Sequence, residues 1–429
     1  MVALLQSLGD SCALAQAGAD GPRRRLLILG LNYSPEPIGI GPYTAGLAEA
    51  LAERGHTVHA VVGQPYYPDW RLYEQYHRTW RHSVENGVSI VRCPHYIPAN
   101  PTGRKRLVHH LSFASAAYHK VRACAAHLRP DLVFTVAPSM IAVPIAQRAA
   151  RRIGVPLWLH IQDFEVGAAL ATGLMSGGKR RLGAALAFER RVLDGADMVS
   201  TISPAMRDML IEKGRHPDQV IEMRNWANHA AAIGLADGAD LKRRWGLPGK
   251  TVALYSGTIS HKQGLDGVIA AARSLVRRDD IAFVIAGEGP LRQNIERQVG
   301  DLPNVMLKPL QEGARVGEML RMADIHLLPQ IEGAADLVLP SKIGNMLASA
   351  RPVVATVHPG SGIAEELEGC GVIVPPGDPA ALATAIAALA DGPGRRATLG
   401  SHGTERARTA WSKRSVVDRF EARMQALLA

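Results

Sequence analysis

The sequence predicts an α/β protein of two successive domains, each built on a doubly wound parallel sheet. Three observations carry that expectation. Short runs of Val, Ile and Leu alternate with alanine-rich segments of helical spacing, as in strands buried on both faces and joined by crossover helices. The alternation pauses over residues 227–240 and then begins again. The length, 429 residues, also exceeds what one ordinary hydrophobic core holds.

The first series of strands reads "LLILGL" (26–31), "TVHAVVG" (57–63), "DLVFTVA" (131–137), "PLWLHI" (156–161) and "MVSTIS" (198–203), with helices such as "YTAGLAEALAERG" and "PIAQRAARRIG" between them. The second reads "TVALYSG" (251–257), "AFVIAGEG" (282–289), "NVMLKP" (304–309), "DIHLLP" (324–329), "PVVATV" (352–357) and "GVIVPPG" (371–377). The stretch between, "ANHAAAIGLADGAD", is a linker. The domains are then a loose extension over 1–22, a first domain over 23–227 and a second over 228–408. A final helix within 409–429, apolar at helical spacing, docks back on the first domain.

Hydrophobic residues at 47% and charged residues at 21% are the balance of a soluble globular chain, which excludes disorder. The net charge is +10, and residues 1–228 hold 26 of the 49 Lys and Arg but only 18 of the 39 Asp and Glu. A basic first half suits an anionic partner: nucleic acid, a diphosphate or an acidic membrane face. Cys12, Cys93, Cys124 and Cys370 are too scattered for a metal site and read as reduced thiols in a cytosolic protein. No apolar run approaches the roughly 20 residues that span a bilayer. The mildly apolar start lacks a basic n-region, so it reads as an extension, with a cleaved signal as the alternative.

In doubly wound sheets ligands collect outside the carboxyl ends of the strands. After the first strand comes "NYSPEPIGIGPYT", which fails as a dinucleotide fingerprint: Thr44 replaces the third glycine and no acid ends the next strand. No P-loop lysine follows either. What remains is a Gly39-Ile40-Gly41 loop over a helix start, either a phosphate or sugar contact or a plain turn. In the second half, "YSGTISHKQGL" offers Gly257 and Lys262 just after a strand. "AGEGPLR" offers Gly287 and Gly289, as ligand clearance or as turn formers. "PSKIGNML" sets Ser341 and Lys342 at a helix start, where a hydroxyl, a cation and free amides suit a diphosphate. No Asp-x-Asp triplet occurs, so no metal is expected to bridge a diphosphate. His160, at the end of "PLWLHI", and Asp163 and Glu165 in the following "QDFEVG" are the candidates for a base. His160 and Asp163 stand ahead of Glu165. The alternatives are a satisfied strand histidine and, for Asp163, a helix cap.

Together, "GLNYSPEPIGIGPYTAGLAEALAERGHTVHAVVGQPYYP", "LHIQDFEVGAAL", "YSGTISHKQGL" and "DLVLPSKIGNMLASARPVVAT" resemble the family 4 glycosyltransferases of the GT-B fold, in the exopolysaccharide group of the colanic-acid, fucosyltransferase-like type. The resemblance covers nearly the whole chain from about Arg24. It implies two Rossmann-like domains facing a cleft, the second holding a nucleotide sugar such as GDP-fucose and the first facing the acceptor. It further implies that Gly41 and its neighbours approach the donor, that Lys262, Ser341 and Lys342 neutralise the diphosphate, and that the loop carrying Glu288 lies beside the nucleotide. His160 would contact the donor sugar, and its loss would lower turnover more than stability. Transfer with retention and without a cofactor is implied too. One departure stands out. Two glutamates that the wider family carries before the "PVV" strand fall here on Leu337 and Asn345, so a ribose contact would pass to the Asn345 amide.

The segment "PTGRKRLVHHLSFASAAYHKVRA" (101–123) gathers Arg104, Lys105, Arg106, His109, His110, His119, Lys120 and Arg122 among apolar residues, with Tyr66, Tyr67, Trp70 and Trp80 in a loop before it. No nucleic-acid motif accompanies it. A solvated basic face and peripheral docking on the inner face of the cell membrane are the two readings. The second suits a polyprenyl-diphosphate-linked sugar acceptor. The expected function is therefore transfer from a nucleotide-diphosphate sugar to such an acceptor, in the cytoplasm at the membrane. The alternatives are a sugar-nucleotide epimerase and a non-catalytic nucleotide-sugar-binding partner.

Overall fold

The computed structural model describes residues 22–164, 178–227, 233–234, 237–309, 311, 314–332 and 339–429. The chain divides into two compact units. One holds the residues up to Ile202 with Met206–Met223 and Val417–Ala429; the other holds Ser203–Ala205 and Arg224–Val416.

The first unit carries an eight-stranded sheet. Its strands are β1 (Arg25–Gly30), β2 (Thr57–Gly63), β3 (Arg81–Glu85), β4 (Val88–Cys93), β5 (Leu132–Ala137), β6 (Leu157–Ile161), β7 (Met198–Thr201) and β8 (Val220–Glu222), in the order β3-β4-β2-β1-β5-β6-β7-β8. All neighbours are parallel except the β3–β4 hairpin, which turns at Asn86-Gly87 with both residues at positive φ. Because side chains alternate along a strand, the sheet has two apolar faces. Leu27, Leu29, Val61, Val133, Leu159 and Val199 share a core with Phe113, Ala117 and Val121 of helix Gly103–Leu128 and Ala146 of helix Val143–Ile153. On the opposite face, Phe134 and Trp158 meet Phe420 of the last helix, Lys413–Leu427, at ring separations of 5.4 and 4.6 Å. That helix is further clamped by Arg54, which donates to Glu421 and Asp418 at 2.5 Å each, and by His56 at 2.9 Å from Glu421.

The second unit carries a six-stranded parallel sheet of β9 (Thr251–Ser256), β10 (Ile281–Ala286), β11 (Val305–Lys308), β12 (Ile325–Pro329), β13 (Val353–Thr356) and β14 (Gly371–Val374), in the order β11-β10-β9-β12-β13-β14. The strand order reverses between β9 and β12, and in the first sheet between β1 and β5. These are the switch points outside which a doubly wound sheet binds its ligand. Strands β3, β4 and β8 are additions to the sequence reading. β3 is polar and half exposed, and β8 has only three residues, so neither stands out as an apolar run. Cys93 and Cys370 are buried free thiols and Cys124 is half-buried and free.

Candidate active site

In the second unit the loop after β9 and the start of helix Lys342–Ala348 meet. Gly257, at φ +141°, takes a backbone shape that a side chain would strain. A methyl group there would stand 3.7 Å from Lys342 Nζ and 3.6 Å from the Tyr255 hydroxyl. The Lys342 ammonium lies 4.8 Å from the centre of the Tyr255 ring, and that tyrosine, fully buried, donates its hydroxyl to the Thr258 carbonyl at 2.5 Å. Burial pushes the Lys342 ammonium down to about 8. A desolvated cation over an aromatic face, paired with no carboxylate among the described residues, favours an incoming anion. Ser341 is exposed at the helix N-cap, and its hydroxyl makes no capping bond. Asn345 lies in the same helix, half-buried. Gly264, in left-handed backbone, brings the turn that includes Lys262 against the Gln330 backbone at the end of β12. The Lys262 side chain and Leu337 lie outside what is described.

Gly287 and Gly289 are glycines for a reason other than ligand clearance. A side chain on Gly287 would overlap the Gly257 carbonyl, and one on Gly289 the Ile259 carbonyl. Two strand-end loops run backbone against backbone here, with Ile259 N donating to Glu288 O at 2.8 Å and Gly257 N to Ala286 O at 3.0 Å. The Glu288 carboxylate is exposed and lies 3.6 Å from Arg292. Arg292, which the sequence reading passed over, ties the loop down by donating to the carbonyls of Gly287 and Lys308.

In the first unit Asp163 is exposed just past the carboxyl end of β6. Glu165 lies outside the described residues. His160 stands differently from the sequence expectation of a reactive base. It is 4% exposed, one ring nitrogen is 2.9 Å from Ser200 Oγ, the other is 3.0 Å from Gln162 Nε2, and the ring stacks on Phe134. Burial drives it down to about 3, so it is neutral and a very weak base. As a proton acceptor His160 is therefore corrected: it is a satisfied sheet histidine that also fixes Ser200, the acceptor of the Trp158 indole N–H at 2.8 Å.

Gly39 and Gly41 sit over a buried carboxylate that the sequence reading missed. Glu36, 2% exposed, accepts from Asn32 Nδ2 at 2.9 Å and from the backbone N–H groups of Tyr66 and Tyr67 at 3.1 Å each. A side chain on Gly41 would come 3.1 Å from Glu36 Oε2, and one on Gly39 would come 3.0 Å from the Tyr67 ring. Burial outweighs these three donors and raises the Glu36 carboxyl to about 7. Glu36 thus joins the loops that follow β1 and β2. It stood between Pro35 and Pro37 in the sequence, but a loop carboxylate is ordinarily exposed, so nothing marked it. Beside it Tyr66 packs against Trp70, His95 and His109 at ring separations of 5.2, 5.5 and 4.7 Å. His109 is fully buried, and burial lowers it and, to about 4, His110. Neither histidine adds to the basic face expected of 101–123, and Tyr66 is core rather than interface. Trp80 is exposed, with the Lys120 ammonium 5.9 Å from its ring.

Residues 39–226 match the Glycosyl transferase 4-like domain, and residues 250–391 match Glycosyl transferases group 1. The putative colanic acid biosynthesis glycosyl transferase WcaI of Escherichia coli K12 is 41% identical over 343 residues, covering 78% of this chain and 83% of its own. The chain belongs to the family 4 glycosyltransferases. The glycosyltransferase also matches the alpha-D-kanosaminyltransferase of Streptomyces kanamyceticus, at 28% identity over 48% of this chain and 54% of that one. Two solved structures show its GT-B fold. Sucrose-phosphate synthase from Thermosynechococcus elongatus aligns with a TM-score of 0.69 at 18% identity, covering 94% of this chain and 99% of its own. Anabaena HepE in complex with UDP-glucose aligns with a TM-score of 0.62 at 16% identity, covering 94% and 100%. An enzyme is thus established, and the non-catalytic alternative is set aside. No helix among the described residues is long and apolar enough to cross a membrane.

Proposed function

We propose that this glycosyltransferase moves a sugar from a nucleotide-diphosphate donor to a lipid-linked oligosaccharide during synthesis of an exopolysaccharide of the colanic-acid kind. The observation that carries the reading is the Lys342 ammonium, desolvated over Tyr255 and beside the open Gly257 backbone. The similarity to WcaI supports the pathway. HepE, solved with UDP-glucose, supports a nucleotide-sugar donor.

In the proposed reaction the bond from the anomeric carbon to the diphosphate oxygen breaks as the acceptor oxygen bonds to that carbon. Lys342, with Ser341 and Lys262 beside it in the sequence reading, offsets the charge gathering on the leaving diphosphate, so no metal is required. Asn345 and the Glu288 loop contact the nucleotide. Transfer proceeds with retention: the acceptor proton passes to the departing phosphate on the same face, and Asp163 orients the sugar hydroxyls. The enzyme works at the inner face of the cytoplasmic membrane, on an acceptor held by a polyprenyl diphosphate.

The test is incubation of the purified protein with GDP-fucose, GDP-mannose, UDP-glucose and UDP-galactose, with and without membranes bearing lipid-linked oligosaccharide. Release of free nucleoside diphosphate together with a longer lipid-linked sugar is expected for one donor. Isomerisation of the donor without transfer would make the enzyme an epimerase and overturn the proposal.

A further inference from the structure

Away from the carboxyl edges of the strands, the first unit holds a cavity of about 350 Å³ between helices Gly103–Leu128 and Val143–Ile153. Both helices run down to the amino edge of the sheet, where β5 and β6 begin, and the cavity follows them from Ile145, in the first turn of the second helix, to Arg129 and Arg152 at that edge. Its floor is apolar, with Val121, Ala125, Ile145 and Ala149, and its rim carries Arg122, Arg129, Arg148 and Arg152. Among the described residues no carboxylate pairs with any of the four.

A solvated rim of arginines is common at helix ends, where the dipole favours cations within the last turn. That accounts for Arg152 and Arg129. Arg122 and Arg148 stand more than a turn inside their helices, beyond the reach of that effect. Arg129 also adopts left-handed backbone (φ +47°) at the position that ends its helix, where glycine is the usual choice. Keeping a guanidinium there has a conformational cost, as strained positions at binding sites do.

The same helix says what the cavity faces. At 100° per residue, Leu107, Leu111, Tyr118, Arg122 and Ala125 fall within about 60° of one another, a single stripe roughly 27 Å long that leads to Arg129 at the helix end. Its upper end exposes Leu107, Leu111 and, beside them, Val108, each about half accessible, and its lower end is the arginine rim. Exposed apolar side chains continuous with unpaired guanidiniums over an apolar floor match one surface chemistry, an anionic bilayer.

The geometry points to the arginine-rimmed cavity as a site for the phosphate head of an anionic membrane lipid. Arg122, Arg129, Arg148 and Arg152 hold the phosphate, the start of an acyl chain lies on the apolar floor, and Leu107, Val108 and Leu111 enter the interface alongside. This deepens the membrane-surface part of the proposed function and rests on it.

Co-sedimentation tests it, using vesicles of phosphatidylcholine alone and vesicles with about a third phosphatidylglycerol. The wild type is expected to sediment with the anionic vesicles only. Arg122→Ala/Arg148→Ala should weaken that association about thirty-fold, matching about 1 kcal/mol per arginine, with its melting temperature unchanged. A control that removes the same charge elsewhere, Arg277→Ala/Arg297→Ala, should bind as the wild type does. Equal binding by the cavity variant, or equal loss by the control, would overturn the lipid site and leave membrane docking standing. Release of the wild type from anionic vesicles by millimolar glycerol 3-phosphate would make the site one for a free phosphate and overturn it as well. A wild type that ignores both kinds of vesicle would remove membrane docking itself.

Discussion

In the proposed reaction the chemistry turns on Lys342, and its burial makes a sharp expectation about pH. Its ordinary value is 10.5 and its folded value about 8, so the free enzyme loses the ammonium as pH rises through 8. Donor affinity should hold between pH 6 and 7 and decline above 8, as read by calorimetry with the donor that is turned over. Lys342→Ala should weaken donor binding by about 1.5–3 kcal/mol, the scale of a charge-assisted hydrogen bond; an unchanged dissociation constant would take Lys342 out of the site. Glu36 shows the opposite displacement. Its carboxyl sits near 7 against an ordinary 4.5, so the folded state holds that proton more tightly than the unfolded state. The contribution is favourable below about pH 4.5 and is lost as pH rises through 7, a change of about 3 kcal/mol at most. Denaturant midpoints at pH 5 and pH 8 should show this slope in the wild type and not in Glu36→Gln. The sequence made the Gly39–Gly41 loop visible but not the carboxylate beneath it, because depth in the fold is not written in local spacing. For the same reason His160 looked reactive. Replacing it with alanine should now cost stability, through the lost bond to the Ser200 hydroxyl and a cavity beside Phe134, more than it costs turnover of the folded enzyme.

At the scale of elements, eleven strands were legible because a parallel sheet covered on both faces requires unbroken apolar runs, and those runs are short and repeated. Strand β4 was missed even though Asn86-Gly87, the commonest tight hairpin signal, stands in front of it. Its partner β3 is polar and exposed, so the pair does not look like two strands. The spacing of Gly287 and Gly289 was legible, but not its cause, since the packing of one loop backbone on another involves residues about 30 apart. The last helix makes a direct prediction. Phe420 is fully buried between Phe134 and Trp158, so Phe420→Ala should cost about 3–5 kcal/mol in chemical unfolding. A loss below 1 kcal/mol would mean that this helix contributes little to the first unit.

For the molecule as a whole, the division into two sheets was readable from the restart of the strand pattern after residue 240, while the path of the chain through the units was harder to see. If Lys342 and the helix start offer the leaving group its counter-charge, as proposed, turnover should persist in excess chelator; loss of activity on chelation, restored by a divalent cation, would show otherwise. The chain leaves the first unit near Met223, builds the second, and returns at Val417 to cover Phe134 and Trp158. The helix that covers this face is therefore synthesised after the whole of the second unit, so the half begun first is completed after the other. Until then an aromatic face waits uncovered in the nascent chain, a natural target for chaperones, and premature termination after Ser412 would strand it there.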